Sequence, residues 1–318
     1  MEIGFIGLGK MGGNMVLRLV VGSPDGSVQG THRVVGYARD PNPDLANVEG
    51  VTLTTSVEEM VRRLKPPRAV WVMVPSGNAT ESVVSELAEL MNASDLIIDG
   101  GNSHYKDSVR RGEGLAKRKI GFLDVGTSGG IWGRQEGYCM MVGGLKDHVD
   151  LVRPIFDTLA PPDGWAHVGP GGSGHFVKMI HNGIEYGLME AYAEGFEVLY
   201  KSKFPLNLRQ ICKVWNHGSV IRSWLLELAE GLFETEHDLR GIQPYVEDSG
   251  EGRWTIDAAM EADAPVPVIA AALFARFASR DPVNFSARFA AGLRNQFGGH
   301  TIQRAAAKKI DSTGEVTS

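Results

Sequence analysis

Cysteine is nearly missing from this 318-residue chain. Cys139 and Cys212 are the only two, far apart and without a C-x-x-C pair, which excludes a disulfide framework and argues against thiolate metal sites. Both are expected to be reduced, semi-buried thiols. Long apolar runs are missing too. The longest, Ala264 to Ala275, is about a dozen residues and contains Pro265 and Pro267, whereas a membrane span needs about 20. Positive charge is not in excess: 32 Lys and Arg stand against 38 Asp and Glu, a net charge of −6. No global field therefore attracts nucleic acid. The basic clusters Arg62, Arg63, Lys65 and Lys117, Arg118, Lys119 read as solvated helix ends. Glu2 stands where a leader would carry basic residues, so no signal peptide is expected. No internal period of about 20 to 50 residues recurs. These absences describe a soluble, cytoplasmic protein with neither a nucleic-acid nor a membrane partner.

What is present is ordinary globular material, 43% hydrophobic and 22% charged, long enough for two domains. The chain begins MEIGFIGLGKMGGNM. Ile3, Phe5 and Ile6 predict a short strand. Gly7, Gly9 and Gly12 then form G-x-G-x-x-G, entering a helix patterned by Met15, Leu17, Leu19 and Val20. The physical sense is a tight turn at Gly7, close phosphate approach at Gly9 and tight helix–strand packing at Gly12, with helical amides facing a pyrophosphate. The turn residues Leu8, Lys10 and Met11 belong to the same expected cofactor contact. Further strands at 33–37, 69–74 and 96–99, with helices near 56–64 and 79–91, imply a parallel doubly wound sheet. The strand-end segments Val74-Pro75-Ser76 and Asp99-Gly100-Gly101-Asn102 would line the cofactor cleft.

Coenzyme choice is read at the end of the second strand, VVGYARD. Ala38 occupies the position where an NAD site usually has a carboxylate. Arg39 could pair with a 2′-phosphate or stack on adenine. Asp40 could turn back toward a ribose, or Arg39 and Asp40 could simply begin a turn before Pro41. The reading favours NADP, with NAD open.

Beyond GTSGGIWGRQEGYCMMVGG the pattern becomes helical, at 206–214, 223–233, 257–260, 268–277 and 286–295. The expected architecture is a Rossmann-like α/β domain over 1–170 followed by an all-α domain over 171–318. Ser128, Gly129 and Gly130, after a strand at 122–125, offer a hydroxyl and backbone amides that could hold a carboxylate, or form a plain glycine turn. The most unusual stretch is GSGHFVKMIHNGIEYG, residues 172–187. Lys178, His181, Asn182 and Glu185 fall at i, i+3, i+4 and i+7, one face of a helix. Met179, Ile180 and Ile184 suggest that the other faces are buried. Burial lowers a lysine pKa and raises that of a carboxylic acid, which suits a general base and a general acid near neutral pH. No metal-ligand spacing accompanies the stripe. From these residues alone, the reading is an oxidoreductase with a lysine base.

In GLGKMG, DGGNS, TSGG, GHFVKMIHNGIEY, LFAR and LRNQFGGHT, taken in order, the chain resembles the decarboxylating 6-phosphogluconate dehydrogenase family, in its shorter-chain branch. The resemblance runs over nearly the whole length. It implies that Lys178 takes the proton of the C3 hydroxyl while hydride leaves for nicotinamide. The resulting β-keto acid loses CO2, and Glu185 protonates C1 of the enediol to give ribulose 5-phosphate. It implies that Asn102, Ser128, Gly129, Gly130, His181 and Asn182 hold the carboxylate and hydroxyl end of the substrate. Tyr186, Arg276, Arg294 and His300 would hold the phosphate. It further implies that Arg294 and His300 come from a second subunit of a homodimer or homotetramer. DSGEGRWT lacks a lysine that longer members carry there, leaving one phosphate contact unassigned, and Trp132 departs from the longer branch. A dehydrogenase for a small unphosphorylated 3-hydroxyacid, or a nucleotide-binding sensor, are the competing readings. The first does not need Arg276, Arg294 and His300, and the second does not need Lys178 and Glu185.

Overall fold

The computed structural model describes residues 1–40, 42–298 and 301–303. Its N-terminal part alternates strand and helix. The order is β1 (Glu2–Ile6), α1 (Lys10–Val20), β2 (Arg33–Tyr37), β3 (Val51–Leu53), α2 (Val57–Arg63), β4 (Ala69–Val72), α3 (Asn78–Leu90), β5 (Leu96–Asp99) and α4 (Tyr105–Ala116). There follow β6 (Gly121–Ser128), α5 (Gly133–Glu136), β7 (Cys139–Gly144), α6 (Lys146–Leu159) and β8 (Trp165–Gly169). The eight strands form one sheet in the order β3-β2-β1-β4-β5-β6-β7-β8. Every neighbouring pair is parallel except β6 and β7. The strand order reverses between β1 and β4, the crevice in which open α/β sheets bind ligands.

Central strands of such a sheet are covered on both faces, so they read as unbroken apolar runs. β4, AVWV, is buried at every position. Trp71 and Ile98 join Ile3, Phe5, Met15, Leu19 and Phe156 on one face. Val70, Val72 and Ile97 join Met60, Leu87 and Leu115 on the other. The Rossmann-like part is thus formed as expected, with an antiparallel extension that the sequence reading did not resolve into strands. GTSGG…MMVGG is a hairpin-like pair in which Ser128 opposes Cys139 and Asp124 opposes Gly143.

The remaining elements are helices: α7 (Ser173–Tyr200), α8 (Leu208–Asn216), α9 (Trp224–Thr235), α10 (Glu251–Glu261), α11 (Pro267–Ser279) and α12 (Phe285–Gly298). Internal contacts divide the chain into two units, residues 1–189 with 249–269, and residues 190–248 with 270–318. The second unit has its own small core of Phe196, Cys212, Leu226 and Phe233. The two thiols differ, against expectation: Cys212 is fully buried in that core, and Cys139 is exposed at the start of β7. Among the described residues no helix is long and apolar enough to cross a membrane, and no group of three or more acidic, His or Cys side chains could hold a metal.

Candidate active site

The glycine turn has a distinct physical demand at each glycine. Gly7 has φ +95°, and an added Cβ would lie 2.1 Å from the Met73 carbonyl. A Cβ at Gly12 would lie 1.9 Å from the Gly7 carbonyl oxygen, so α1 can sit this close to β1 only without a side chain there. Gly9 differs: nothing lies within 4 Å of its Cβ position. It is also the N-cap of α1, where no side chain caps the helix. Open space beside uncapped amides fits a pyrophosphate. Leu8 turns its side chain into the core and leaves only backbone for a ligand, while Lys10 is exposed and Met11 half-buried. Asn42, which the sequence reading missed, donates from Nδ2 to the Leu8 carbonyl at 2.8 Å and braces the turn.

At the end of β2, Ala38 is half-buried, and Arg39 and Asp40 are more than nine-tenths exposed, 3.9 Å apart. Among the described residues, each has only this weak pairing with the other. β4 stops at Val72, short of the expected strand end, so Val74, Pro75 and Ser76 form the following turn, where the Pro75 carbonyl accepts from Thr80 Oγ1. At the end of β5, buried Asp99 accepts from Gly101 N, Ser103 Oγ and Arg111 Nη1 at 3.2, 2.8 and 3.1 Å. This cluster holds the turn that leaves Asn102 exposed. Arg111 lies on α4, of which the sequence reading noted only a basic end at 117–119, and it was missed.

Asp124 is the third missed residue. It is a fully buried carboxylate in the middle of β6. It accepts from Gly172 N at 2.7 Å and His175 N at 2.8 Å, so it caps the first turn of α7 from the sheet. A charge inside the apolar string FLDV was the available signal. Glycines let helix and sheet meet. A Cβ on Gly174 would lie 2.3 Å from the Asp124 carbonyl oxygen, and one on Gly126 would lie 2.3 Å from Lys178 Cβ. Lys178 is thereby pressed onto β6, and only 7% of it is exposed.

The polar stripe on α7 forms a chain of contacts. Lys178 Nζ lies 3.3 Å from His181 Nδ1, which lies 3.1 Å from Asn182 Oδ1 and 3.8 Å from Glu185 Oε2. With a proton on Nδ1, the imidazole donates to Asn182 Oδ1 and faces the lone pair of a neutral amine. Burial pushes the Lys178 pKa below the ordinary lysine value, while Glu185, Glu251 and Cys139 pull it back upward. That arrangement suits a base which is neutral before reaction. The other end of the stripe differs from the expectation of two buried groups: Glu185 is 39% exposed. The helix faces explain why. α10 covers the side of α7 at Met179, Gly183 and Tyr186, whereas Ile184 and Leu188 are exposed, against the expectation that Ile184 is buried.

The expected carboxylate loop is placed at the end of β6. Ser128 and Gly129 are half-buried and Gly130 exposed, with φ +127° at Gly129 and +53° at Gly130. Such conformations favour glycine over any other residue. Tyr186 is buried, and its hydroxyl accepts from Ser249 N at 3.2 Å. Arg276 and Arg294 lie on α11 and α12 in the second unit, where Arg276 Nη1 donates to the Glu247 carbonyl at 2.6 Å. His300 lies outside the described residues.

Comparison with known proteins places this site in a family. Residues 2–169 match the NAD-binding domain of 6-phosphogluconate dehydrogenase, and residues 174–284 match its C-terminal domain. YqeC of Bacillus subtilis, which carries the 6-phosphogluconate dehydrogenase name, is 43% identical over 96% of this chain and 100% of its own length. The NAD(+)-dependent, decarboxylating 6-phosphogluconate dehydrogenase of Haloferax volcanii is 42% identical over 96% of this chain and 99% of its own. The solved structure of Plasmodium falciparum 6-phosphogluconate dehydrogenase, described with NADP+ and with 6-phosphogluconate, has a TM-score of 0.76 at 29% identity. It aligns over 98% of this chain and 68% of its own, so the present chain is the shorter. With both domains matched and two full-length relatives above 40% identity, the chain belongs to the 6-phosphogluconate dehydrogenase family.

Proposed function

We propose that the protein oxidatively decarboxylates 6-phosphogluconate to ribulose 5-phosphate and CO2 with reduction of NADP or NAD. The observation that carries this reading is the stripe on α7: a buried amine at Lys178 linked through His181 to the carboxylate of Glu185. The dinucleotide would be held by Gly7, Leu8, Gly9, Lys10, Met11 and Gly12, with Val74, Pro75, Ser76 and Asn102 across the crevice. When bound, it supplies the hydride acceptor. The neutral Lys178 amine removes the proton from the C3 hydroxyl as C3 is oxidised. Its ammonium then faces the new carbonyl oxygen, which accepts the electron pair released when the bond from C2 to the C1 carboxylate breaks. Glu185, roughly 10 Å further along the helix, delivers a proton to that former C2, which becomes C1 of ribulose 5-phosphate. One helix with base and acid seven positions apart reaches two carbons of one substrate. His181, Asn182, Asn102 and the Ser128-Gly129-Gly130 loop would orient the carboxylate and hydroxyl end.

Tyr186, Arg276, Arg294 and His300 would take the phosphate, for which guanidinium groups offer paired donors. The assignment of residues 1–170 to coenzyme and 171–318 to substrate and subunit contact belongs to the same proposal, as does a cytoplasmic location. The protein is proposed to form a homodimer or homotetramer in which Arg294 and His300 complete a neighbour's site. In support, Phe274, Phe285, Phe289 and Leu293 are exposed on α11 and α12 in the single chain. Arg39 is proposed to meet a 2′-phosphate, favouring NADP. The test is initial rates with 6-phosphogluconate and each nucleotide, with CO2 release followed, for the native protein and Lys178→Met. Turnover should vanish in the variant while nucleotide binding survives. Intact turnover with lost nucleotide affinity would remove Lys178 from the chemistry.

A further inference from the structure

One buried charge beside the stripe has no part in the chemistry above. Glu251, at the first position of α10, is 1% exposed. Its Oε2 accepts from Ser249 Oγ, and Ser249 N in turn donates to the Tyr186 hydroxyl. Gly252 lies so near the Tyr186 ring that an added Cβ would be 2.6 Å from it. Thr255 Oγ1 lies 2.9 Å from the Met179 carbonyl oxygen, and a Cβ on Gly183 would be 2.7 Å from the Thr255 methyl. These contacts fix the first turn of α10 along the side of α7 adjoining Lys178. Among the described residues one side-chain hydrogen bond serves this carboxylate, and a carboxylate taken out of water is unfavourable unless a charge answers it. The N-terminus of α10 offers part of that answer.

We propose that Glu251 is the fixed counter-charge of Lys178, a positioning residue that holds the ammonium formed when the lysine takes the substrate proton. This rests on the reading of Lys178 as the base. Glu185 cannot serve throughout, because as the acid it must carry a proton before it delivers one to C1, and it is half exposed. Glu251 gives up no proton in the sequence of steps and is shielded from solvent. As Lys178 gains the C3 hydroxyl proton, the pair passes from a net charge of −1 to zero instead of leaving a lone cation in a buried site.

His181 lies 3.3 Å from the amine, and the charges that act on it are Glu185 on its own helix, Glu251 on α10 and Cys139 on β7. Burial pulls the lysine pKa down, and both carboxylates oppose that pull. Removing the Glu251 charge leaves the downward pull less opposed. The amine then loses its proton at lower pH, and it becomes a weaker base. Full-length native protein, Glu251→Gln, Glu251→Met and Glu251→Asp would be compared in two measurements. The first is the pH dependence of Lys178 acylation by acetic anhydride without substrate, read by peptide mass spectrometry. The second is the pH profile of kcat/KM with 6-phosphogluconate. In the two neutral variants the acylation midpoint and the acid limb of kcat/KM should both fall by roughly one pH unit, the low end of what a nearby opposite charge does, and kcat should drop. Glu251→Asp should keep the native midpoint. A native acylation midpoint in whichever neutral variant folds would overturn the proposal. Acylation is read without substrate, so failure of 6-phosphogluconate to react would unseat the substrate reading while the midpoints still decide the role of Glu251.

Discussion

Gly126 is where β6 passes beneath Lys178, the proposed base, and Gly126→Ala perturbs the contact between β6 and α7. The added methyl would lie 2.3 Å from Lys178 Cβ, 2.7 Å from the Gly174 carbonyl oxygen and 3.1 Å from Lys178 Cγ. None of these atoms is the free end of a flexible side chain. Two are the root of the lysine, and the third is backbone in a turn held by Asp124 and pressed against the Met141 carbonyl. Ordinary contact begins near 3.4 Å, so helix and strand must part by about 1 Å, a misplacement that costs on the order of 10²-fold at a reacting group. Overpacking of this kind destabilises by about 1–3 kcal/mol, which lowers the melting temperature without preventing folding. The glycine turn at Gly7 to Gly12 makes none of these contacts. The variant should therefore fold, bind nucleotide with native affinity and lose about 100-fold in kcat. Absorbance of the reduced nicotinamide, an equilibrium nucleotide titration and a thermal melt measure the three quantities. Near-native kcat in a stably folded Gly126→Ala protein would refute the view that this contact sets the position of Lys178.

Asp124→Asn should lower stability toward denaturant by about 1–2 kcal/mol, because one oxygen remains to accept where two served the α7 amides; an unchanged unfolding midpoint would show that the cap is dispensable. Arg39→Ala should raise the KM for NADP more than that for NAD, since the guanidinium is exposed and weakly paired with Asp40; equal losses with both coenzymes would count against the 2′-phosphate assignment.

The parts of this protein legible in the sequence are those whose physics is local. G-x-G-x-x-G announces itself because the turn, the phosphate approach and the helix packing each need glycine within six residues. β4 and the first three positions of β5 are legible because two-sided burial leaves nothing but apolar side chains there. The i, i+3, i+4, i+7 stripe is legible because helical geometry alone gathers it. What escaped depends on distant partners. β8, WAHVG, has mostly exposed or half-buried residues and gains its strand conformation by pairing with β7. β7 itself ends in two glycines that read as a turn, yet Gly143 is required by Asp124 and the start of α7: a Cβ there would lie 2.5 Å from Asp124 Oδ1. Glu251 was visible only as part of a stretch lacking a lysine. Its burial follows from the docking of α10 on Gly183 and Tyr186, contacts about 70 positions away in the chain.

The same distinction bears on how the proposed base, Lys178, is made. A lysine on an exposed helix keeps its proton at neutral pH, and the stripe by itself does nothing to change that. The change comes from the sheet. Asp124 in β6 grips the first turn of α7, Gly126 admits the lysine root, and the resulting desolvation disfavours the ammonium. Desolvation without opposition would make the amine too weak a base to hold a substrate proton, and the carboxylates of Glu185 and Glu251 limit the fall. The base strength of Lys178 is therefore a balance between β6 on one side and α10 on the other, with the sheet and the helical packing acting in opposite directions on one nitrogen. A substitution on either side should move activity and its pH dependence together, even where it touches neither substrate nor coenzyme.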